Sequence, residues 1–393
     1  MTLLERVDFA ALRDLLGQIG ADGWLLYDFL GINPAASRVL GVHGMGTRRY
    51  FVLLPKSGKP VAIAHRIELG SFDGFPGEVR PYSAWRELHE KLGALVKGKT
   101  VAMEVSPRDA VPYLDRVPHG VVELLESFGA RVVSSGALIT RFAARWTDTE
   151  VAGHRRAAEA LAAIAPEALR TAGADLARGA EVRETAVQAR VVQAIARAGL
   201  VTDHPPIVGF AANSANPHYE PRPGSDRRLE AGDVMLLDLW AGVAAHTVFA
   251  DQTWMAFAGS NPGEDVRRVW NAVFGAREAA VTLLKERWRA REPVTGAALD
   301  DAARGVIRAA GYGEQFVHRT GHSIDRDLHG SGPHLDNFET ADERTLVPGV
   351  GFSVEPGVYL TGRFGIRSEI NVFLLETGPE VTPQAPQREL LLV

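Results

Sequence analysis

The stretch His318-Arg319-Thr320-Gly321-His322-Ser323-Ile324 places two histidines four residues apart, with a glycine between them. In a helix both imidazoles would share one face, but Gly321 favours a loop or a strand. A third histidine, His329, follows seven residues after His322. A single histidine is usually a surface or hydrogen-bonded core residue. Three of them within 12 positions, interleaved with glycine and threonine, indicate a functional site.

Two aspartates upstream are candidate partners for these histidines. Asp238 lies in the apolar run Met235-Leu236-Leu237-Asp238-Leu239-Trp240, and Asp251 follows 13 residues later. An ionised carboxylate in an apolar strand is costly, so Asp238 is at a strand end, in a buried ion pair or in a metal site. Two antiparallel strands joined by a turn would set both carboxylates side by side. At that distance they would repel each other and hold a proton unless cations lie between them.

Two glutamates downstream complete the set. Glu355 follows the apolar residues 351–354, and Glu369 follows residues 365–368. The chain has no cysteine, so any metal must rest on imidazole and carboxylate ligands. Four carboxylates and one imidazole suit Mn²⁺, Co²⁺ or Zn²⁺. Five protein ligands exceed the three that a single catalytic zinc keeps, so the set predicts two divalent ions with a shared water as nucleophile.

The composition is that of a soluble globular protein. Of 393 residues, 46% are hydrophobic and 23% are charged, and the net charge is −5. This balance argues against a nucleic-acid or anionic-membrane partner. No run of about 18 apolar residues occurs, so we expect no membrane span. The N-terminal residues lack the basic start and apolar stretch of a secretory signal, so we expect a cytoplasmic protein.

The length of the chain and a change to an Ala-rich helical pattern near residue 146 predict two domains, residues 1–145 and 146–393. Residues 1–145 have the pattern of a mixed α/β unit, with helices at 7–20, 84–96 and 120–128 and strands at 24–27, 50–54, 61–64, 101–105 and 131–133. In the second domain, Thr147 and Glu150 form a capping-box pattern before a long Ala-rich helix, which we expect to pack on a sheet. Further elements are predicted there as helices at 148–172, 181–198, 263–288 and 296–310 and strands at 206–210, 233–240, 247–257, 351–354, 357–360 and 366–376.

The order of these acids and histidines resembles that of the pita-bread metallopeptidases, the group of methionine aminopeptidase, aminopeptidase P and prolidase. That family's five metal ligands come in the order Asp, Asp, His, Glu, Glu, which matches Asp238, Asp251, His322, Glu355 and Glu369. The Glu-Pro-Gly-Val-Tyr stretch at 355–359 and Arg-Ser-Glu at 367–369 match closely, and the spacing of 14 between the glutamates fits the prolidase branch. The resemblance covers about residues 146–380 and implies a catalytic domain with a curved antiparallel sheet and flanking helices. The N-terminal part looks like the creatinase-like α/β domain of that branch.

The resemblance also implies roles for individual residues. Asp251 and Glu369 would bridge two metals, Asp238 would complete one, and His322 and Glu355 the other, with Glu355 as the proton shuttle. Three histidines match positions that bind substrate or stabilise the tetrahedral intermediate: His218, in Asn213-Ser214-Ala215-Asn216-Pro217-His218, His318 and His329. Thr253 matches a position beside the ligands. Arg363 and Arg367 are candidates to hold a substrate's C-terminal carboxylate; the alternative is a structural salt bridge.

The activity implied is hydrolysis of the Xaa-Pro bond by a dipeptidase, a prolidase, on a small peptide with proline at the second position. An aminopeptidase P that acts on longer peptides is the alternative. A creatinase-like hydrolase without metals would lack the ligand set, and a binding protein would have lost a ligand, whereas all five positions are retained. The resemblance further implies a homodimer.

Three positions depart from the family pattern. The two aspartates are 13 residues apart where 11 is the commonest spacing, so the longer turn brings His246 into question as a neighbour of the site. Trp240 replaces a glycine of the first ligand motif, which would reshape the pocket wall. Asp325 stands where glycine is usual, which changes the charge of the loop after His322.

Overall fold

The computed structural model describes residues 3–42 and 46–393. The chain divides into two compact units, Met1–Ala144 and Arg145–Val393. Each unit has its own sheets and hydrophobic core.

The first unit is built on one six-stranded sheet with the strand order β4-β3-β2-β1-β5-β6. Its strands are β1 Gly23–Asp28, β2 Tyr50–Pro55, β3 Val61–His65, β4 Glu78–Tyr82, β5 Thr100–Met103 and β6 Arg131–Ser134. Its helices are α1 Phe9–Gln18, α2 Pro34–Leu40, α3 Trp85–Val96, α4 His119–Ser127 and the single turn α5 Gly136–Leu138. Strands β1, β2 and β3 are antiparallel, and β4, β5 and β6 join in parallel.

Helices cover both faces of this sheet, which explains why its central strands are apolar throughout. Trp24 and Leu26 of β1 pack with α1 and α2 in one core cluster. Leu25 and Tyr27 point the other way and pack with α3 and α4 in a second cluster. A strand buried on both faces has a continuous apolar run rather than an alternating pattern.

The second unit begins with α6 Asp148–Ala177, which starts at the capping box predicted from the sequence. The Thr147 hydroxyl accepts from the Glu150 amide (3.3 Å), and the Glu150 carboxylate accepts from the Thr147 amide (2.8 Å). The remaining helices are α7 Glu184–Arg197, α8 Glu264–Ala290 and α9 Gly296–Ala309. The strands are β7 Ile207–Phe210, β8 Val234–Ala241, β9 Ala250–Phe257, β10 Ser323–Ile324, β11 Gly351–Val354, β12 Gly357–Leu360, β13 Phe364–Arg367, β14 Ile370–Leu375, β15 Gly378–Thr382 and β16 Leu391–Leu392.

These strands form sheets in the orders β16-β9-β8-β7 and β10-β11-β14-β15, together with the hairpin β12-β13. All pairs except β16 with β9 are antiparallel. The Ala-rich face of α6 packs on β8 and β9, in the same core cluster as Met235, Leu237 and Leu239. Their even-numbered neighbours on β8, Leu236 and Asp238, therefore point to the opposite face of the sheet. The predicted helix-on-sheet packing is confirmed.

The prediction of a single strand at 366–376 is wrong. β13 ends at Arg367 and pairs with β12, whereas β14 starts at Ile370 and pairs with β11 and β15. Ser368 and Glu369 lie in the break between them. The predicted strand at 247–257 begins only at Ala250, and α2, α5, β4, β10, β15 and β16 were not predicted.

Candidate metal centre

The hairpin of β8 and β9 supplies the first acids of the candidate site. Asp238 lies opposite Thr253, and Trp240 lies opposite Asp251. Residues that face each other across an antiparallel ladder share a face, as do residues two apart along a strand. All four side chains therefore lie on the face of the sheet away from α6. The predicted antiparallel hairpin is confirmed, with the two aspartates on diagonal rather than directly opposed positions.

His322 is placed by close backbone contact with β11. Its amide donates to the Ser353 hydroxyl (2.9 Å), and its carbonyl accepts from the Ser353 amide (2.9 Å). Gly321 is required here, because a Cβ at this position would lie 2.1 Å from the Ser353 carbonyl oxygen. The stretch from His318 to His322 is a loop leading into β10, as Gly321 predicted.

The same contact brings His322 against Glu355, which follows β11. Nε2 of His322 lies 3.3 Å from Oε1 of Glu355 and 3.4 Å from Oδ2 of Asp251. Its Nδ1 lies 3.2 Å from the Ser323 carbonyl oxygen, which can only accept a hydrogen bond. Nδ1 therefore carries a proton and Nε2 faces the acids, as a metal-ligating imidazole requires.

Glu369 enters the site because it lies in the break between β13 and β14. Its Oε2 accepts a 2.7 Å hydrogen bond from the hydroxyl of Thr253. The next strand is fixed to β9, because the Asp251 amide donates to Oδ1 of Asn371 (2.9 Å). Ligand atoms of Asp251, His322 and Glu369 all lie within 4.8 Å of one another. The five residues that the sequence singles out thus converge on one place.

The four carboxylates of Asp238, Asp251, Glu355 and Glu369, here called the acid cluster, have pKa values that reflect their removal from water and their closeness to one another. Burial raises the pKa of Asp238 to about 7, and it also raises the pKa of Asp251. Burial and the neighbouring acids raise the pKa of Glu369 well above its usual range. At Glu355 burial acts in the same direction, but His322 and Arg367 outweigh it and lower the pKa to about 2. Burial opposes protonation of His322, yet Asp251 and Glu355 raise its pKa.

The acid cluster fits a cation. Oδ1 of Asp251 and Oε1 of Glu369 are buried and have no hydrogen-bond partner among residues 3–42 and 46–393. A buried carboxylate oxygen without a partner is costly, and a cation that it coordinates removes that cost. Oxygen and imidazole ligands suit divalent ions of intermediate hardness. We therefore regard Asp238, Asp251, His322, Glu355 and Glu369 as the residues able to hold metal.

Two of the three predicted substrate histidines lie beside this cluster, His318 half-buried and His329 exposed. The ring of His329 lies 4.3 Å from that of His322, and His322 together with burial lowers the pKa of His329 to about 3. Nδ1 of His318 donates to the Arg319 carbonyl (2.7 Å), so its Nε2 accepts from the Tyr359 hydroxyl (2.8 Å). His218 is exposed, and its charge contributes to lowering the pKa of His329.

The two predicted carboxylate-binding arginines differ in their surroundings. Arg363 is exposed and pairs with Asp265, whose Oδ2 lies 2.7 Å from Nη2. Arg367 is buried, forms an ion pair with Asp238 and donates through Nε to the hydroxyl of Thr253 (2.8 Å). These contacts engage Arg367 with the acid cluster itself, which favours the structural alternative for this residue.

Comparison with known proteins supports a metal site. The profile of metallopeptidase family M24 matches residues 152–376. Probable dipeptidase PepE of Mycobacterium tuberculosis is 30% identical over 356 residues, which cover 87% of this chain and 85% of that protein. The chain belongs to metallopeptidase family M24.

Two further similarities are to an Xaa-Pro dipeptidase and to a solved dipeptidase structure. The Xaa-Pro dipeptidase of Pyrococcus furiosus is 32% identical over 185 residues, 47% of this chain and 48% of that protein. The crystal structure of dipeptidase PepE from Mycobacterium ulcerans superposes with a TM-score of 0.72 at 27% identity, over 98% of this chain and 96% of that one. The fold and the family predicted from the sequence are therefore confirmed.

In this M24 chain the residues linked to the departures from the family pattern, Trp240, His246 and Asp325, differ in burial and in contacts. Trp240 lies on the same face as Asp251 and is half-buried, and its indole donates to Asp203 (2.6 Å). His246 is exposed in the turn between β8 and β9, with a φ of 57°. Asp325 is buried in the loop that follows β10.

Other residues of the site had weaker signals in the sequence. Tyr359, Ser353 and Asn371 contact the histidines or the acids. Tyr359 belongs to the Glu-Pro-Gly-Val-Tyr match, which was a signal for it, whereas Ser353 and Asn371 depend on strand pairing. None of the helices in the described part of the chain has the length and apolarity needed to cross a membrane.

Proposed function

We propose that this M24 chain is an Xaa-Pro dipeptidase that holds two divalent metal ions, Mn²⁺, Co²⁺ or Zn²⁺, between its five clustered ligands. The observation that carries the proposal is the convergence of one buried imidazole and four carboxylates, of which Asp238, Asp251 and Glu369 are buried and Glu355 is half-buried. Two of the carboxylate oxygens have no hydrogen-bond partner in the described chain. The names of the relatives, a dipeptidase and an Xaa-Pro dipeptidase, support the choice of substrate.

The positions of the ligands suggest how two ions would be shared. Asp251 and Glu369 each have one oxygen without a hydrogen-bond partner in the described chain, and we assign them as the ligands that both ions would share. Asp238, beside Thr253 and Arg367, would complete one ion, and His322 with Glu355 would complete the other. Metal ions bound by these residues would supply a water of lowered pKa and would polarise a bound carbonyl group.

Glu355 is the residue that we assign to proton transfer. Its pKa near 2 keeps it ionised at neutral pH, so it can accept a proton from the attacking water. The Ser353 hydroxyl fixes its Oε1 at 3.0 Å. A prolyl nitrogen carries no N–H in the peptide and must gain a proton to leave. Glu355 can return the proton that it took from water to this nitrogen.

The histidines around the cluster would bind the substrate. The neighbouring His322 lowers the pKa of His329, which favours its neutral form at physiological pH. A neutral imidazole can donate one N–H to the carbonyl oxygen as negative charge develops there. His318 is fixed by Tyr359 at the wall of the site, and the exposed His218 is available to a peptide entering from solvent.

The alternative is an aminopeptidase P that accepts longer peptides. A dipeptidase must recognise the substrate's C-terminal carboxylate, and Arg363 and Arg367 are the candidates from the sequence. Because Arg367 is paired with Asp238 and Arg363 with Asp265, the dipeptide preference rests on the relatives rather than on a visible clamp. The homodimer and the cytoplasmic location remain proposals from the sequence.

The test is to strip the purified chain with a chelator, restore Mn²⁺, Co²⁺ or Zn²⁺ separately, and assay Gly-Pro against Gly-Pro-Gly. Metal-restored cleavage of the dipeptide alone is the expected result. Equal or faster cleavage of the tripeptide would favour aminopeptidase P. Absence of metal-dependent turnover on both peptides would refute the peptidase proposal. Glu369→Gln should abolish turnover, whereas the exposed Glu376→Gln is its matched control.

A further inference from the structure

The loop after β10 is closed on a single buried carboxylate, Asp325. Its Oδ1 accepts a hydrogen bond from the Asp327 amide (2.9 Å). Its Oδ2 accepts from both the amide and the hydroxyl of Ser331, each at 2.9 Å. Asp325 is 4% exposed, so three donors satisfy a charge that is almost wholly removed from water. Hydrogen bonds to an ionised acceptor are about twice as strong as neutral ones.

The lack of a side chain at Gly330 leaves room for this carboxylate. Its amide donates to the Ser323 carbonyl (2.7 Å), which brings the end of the loop back to β10. A Cβ at position 330 would lie 2.7 Å from Cγ of Asp325. The aspartate side chain therefore occupies the space that a side chain at 330 would need. The conformation of the loop and the identity of residue 325 depend on each other.

The start of this loop has separate anchors. The indole of Trp146 donates to the Ile324 carbonyl (2.7 Å). Nε of Arg326 lies 3.0 Å from Oε1 of Glu150, at the first turn of α6. Residues 324 and 326 are thus fixed to the rest of the second unit. The turn from 327 to 331 is closed by the bonds of Asp325 and Gly330, and its end is also held by Arg344, whose Nη1 donates to the Ser331 carbonyl (2.6 Å).

His329 lies inside that turn, directly before Gly330, and its ring reaches to 4.3 Å from the ring of His322. The contacts of Asp325 therefore contribute to the position of His329. We propose that Asp325 is a positioning residue that holds His329 in reach of the scissile carbonyl. The kinetic part of this inference rests on the proposed peptidase function. A displacement of about 1 Å in a group that binds the reacting carbonyl can cost about a hundredfold in rate.

Asp325→Asn is the first variant, because it keeps the size of the side chain and one oxygen. It replaces Oδ2, which accepts two hydrogen bonds, with an NH₂ group that can only donate. We expect kcat/KM on Gly-Pro to fall about tenfold or more. Ser331→Ala, which removes one of three donors, should have a smaller effect. Glu343→Gln, an exposed acid in the same unit, is the matched control and should match the parent protein.

A double-mutant cycle separates a positioning effect of Asp325 on His329 from a general loss of folded structure. If Asp325 acts through His329, Asp325→Asn should change kcat/KM less than about twofold in a His329→Ala background. Full additivity of the two losses would overturn the proposal, as would parent-like kinetics of Asp325→Asn alone.

Amide hydrogen exchange on the metal-free protein gives a readout that needs no activity. In Asp325→Asn, peptides covering 325–331 should exchange faster while those of β8 and β9 keep their protection. Unchanged exchange at 325–331 would refute the role of Asp325 even if activity fell. If the parent protein cleaves no Xaa-Pro peptide, the proposed peptidase function is refuted. The exchange measurement still decides whether Asp325 holds the turn from 327 to 331, which carries His329.

Discussion

The hydroxyl of Thr253 donates a 2.7 Å hydrogen bond to Oε2 of Glu369. Its direction is fixed, because Nε of Arg367 donates to the same hydroxyl oxygen over 2.8 Å. The proton must therefore point to a carboxylate, and Glu369 is nearer than Asp238, whose Oδ1 lies at 3.3 Å. One threonine thus orients a candidate bridging ligand.

Thr253→Val should weaken metal binding, because it keeps the shape of the side chain but removes this hydroxyl. Partners of this kind contribute roughly 10–100-fold in metal affinity. Isothermal titration of the metal-free protein with Mn²⁺ would measure the change, with Thr253→Ser as the control that retains the hydroxyl. Unchanged affinity in the valine variant would mean that Glu369 needs no orientation.

Glu355→Gln should lower kcat on Gly-Pro by roughly a hundredfold or more, because the amide cannot accept the proton of the attacking water. The remaining amide oxygen can still coordinate, so metal should still bind. The measurement is steady-state kinetics with metal content determined in the same sample. A variant that holds full metal and turns over at the parent rate would exclude Glu355 as the proton shuttle.

Trp240→Gly should broaden the preference for the first substrate residue. The half-buried indole stands opposite Asp251 on the face that carries the acids, so its removal opens space beside the scissile bond. We expect kcat/KM for Phe-Pro relative to Gly-Pro to rise by about tenfold. Trp240→Phe retains a ring and should keep the parent ratio. An equal ratio in all three proteins would place Trp240 outside the substrate pocket.

Arg363→Ala tests the carboxylate clamp. Since Arg363 is exposed and paired with Asp265, we expect KM for Gly-Pro to change less than about twofold, as for other surface ion pairs. Arg268→Ala is the matched control, because Arg268 also contacts Asp265, at 3.1 Å. A large rise in KM for the dipeptide, without one for the tripeptide, would instead support the clamp.

The stability of the protein should depend on pH through His154, which is buried between the Phe249 carbonyl (3.0 Å) and the Thr382 hydroxyl (2.8 Å). Burial lowers its pKa to about 4 from an ordinary value of 6.5. The unfolded chain therefore binds the proton more readily. The contribution of the neutral ring is full above pH 6.5 and is lost as pH falls towards 4, by about 3 kcal/mol.

The measurement is urea unfolding of the parent protein and of His154→Gln at about pH 7.5 and about pH 4.5. Groups other than His154 contribute equally to both proteins, so the difference in unfolding free energy isolates this residue. We expect the parent's advantage to shrink at the lower pH. An advantage that is the same at both pH values would show that His154 keeps an ordinary pKa.

Much of the candidate site could be predicted because its chemistry is local in the sequence. The acid in the apolar run at Asp238 and the glycine before His322 each carry their own signal. The break at Ser368 and Glu369 could not be found this way, since both flanking segments are apolar and differ only in their strand partners. The ion pair between Arg363 and Asp265 could not be predicted either, because Asp265 lies almost a hundred positions away in the sequence and at the surface.

The five candidate ligands are spread from Asp238 to Glu369, and Glu369 is fixed in place by β14, which pairs with the earlier strand β11. During synthesis, a chain that has reached Glu355 but not β14 holds only part of the acid cluster. Because domains fold as units as they emerge, this unit should acquire its complete site only after β14 has been synthesised. A growing chain would then be unable to cleave peptides before its own fold is complete.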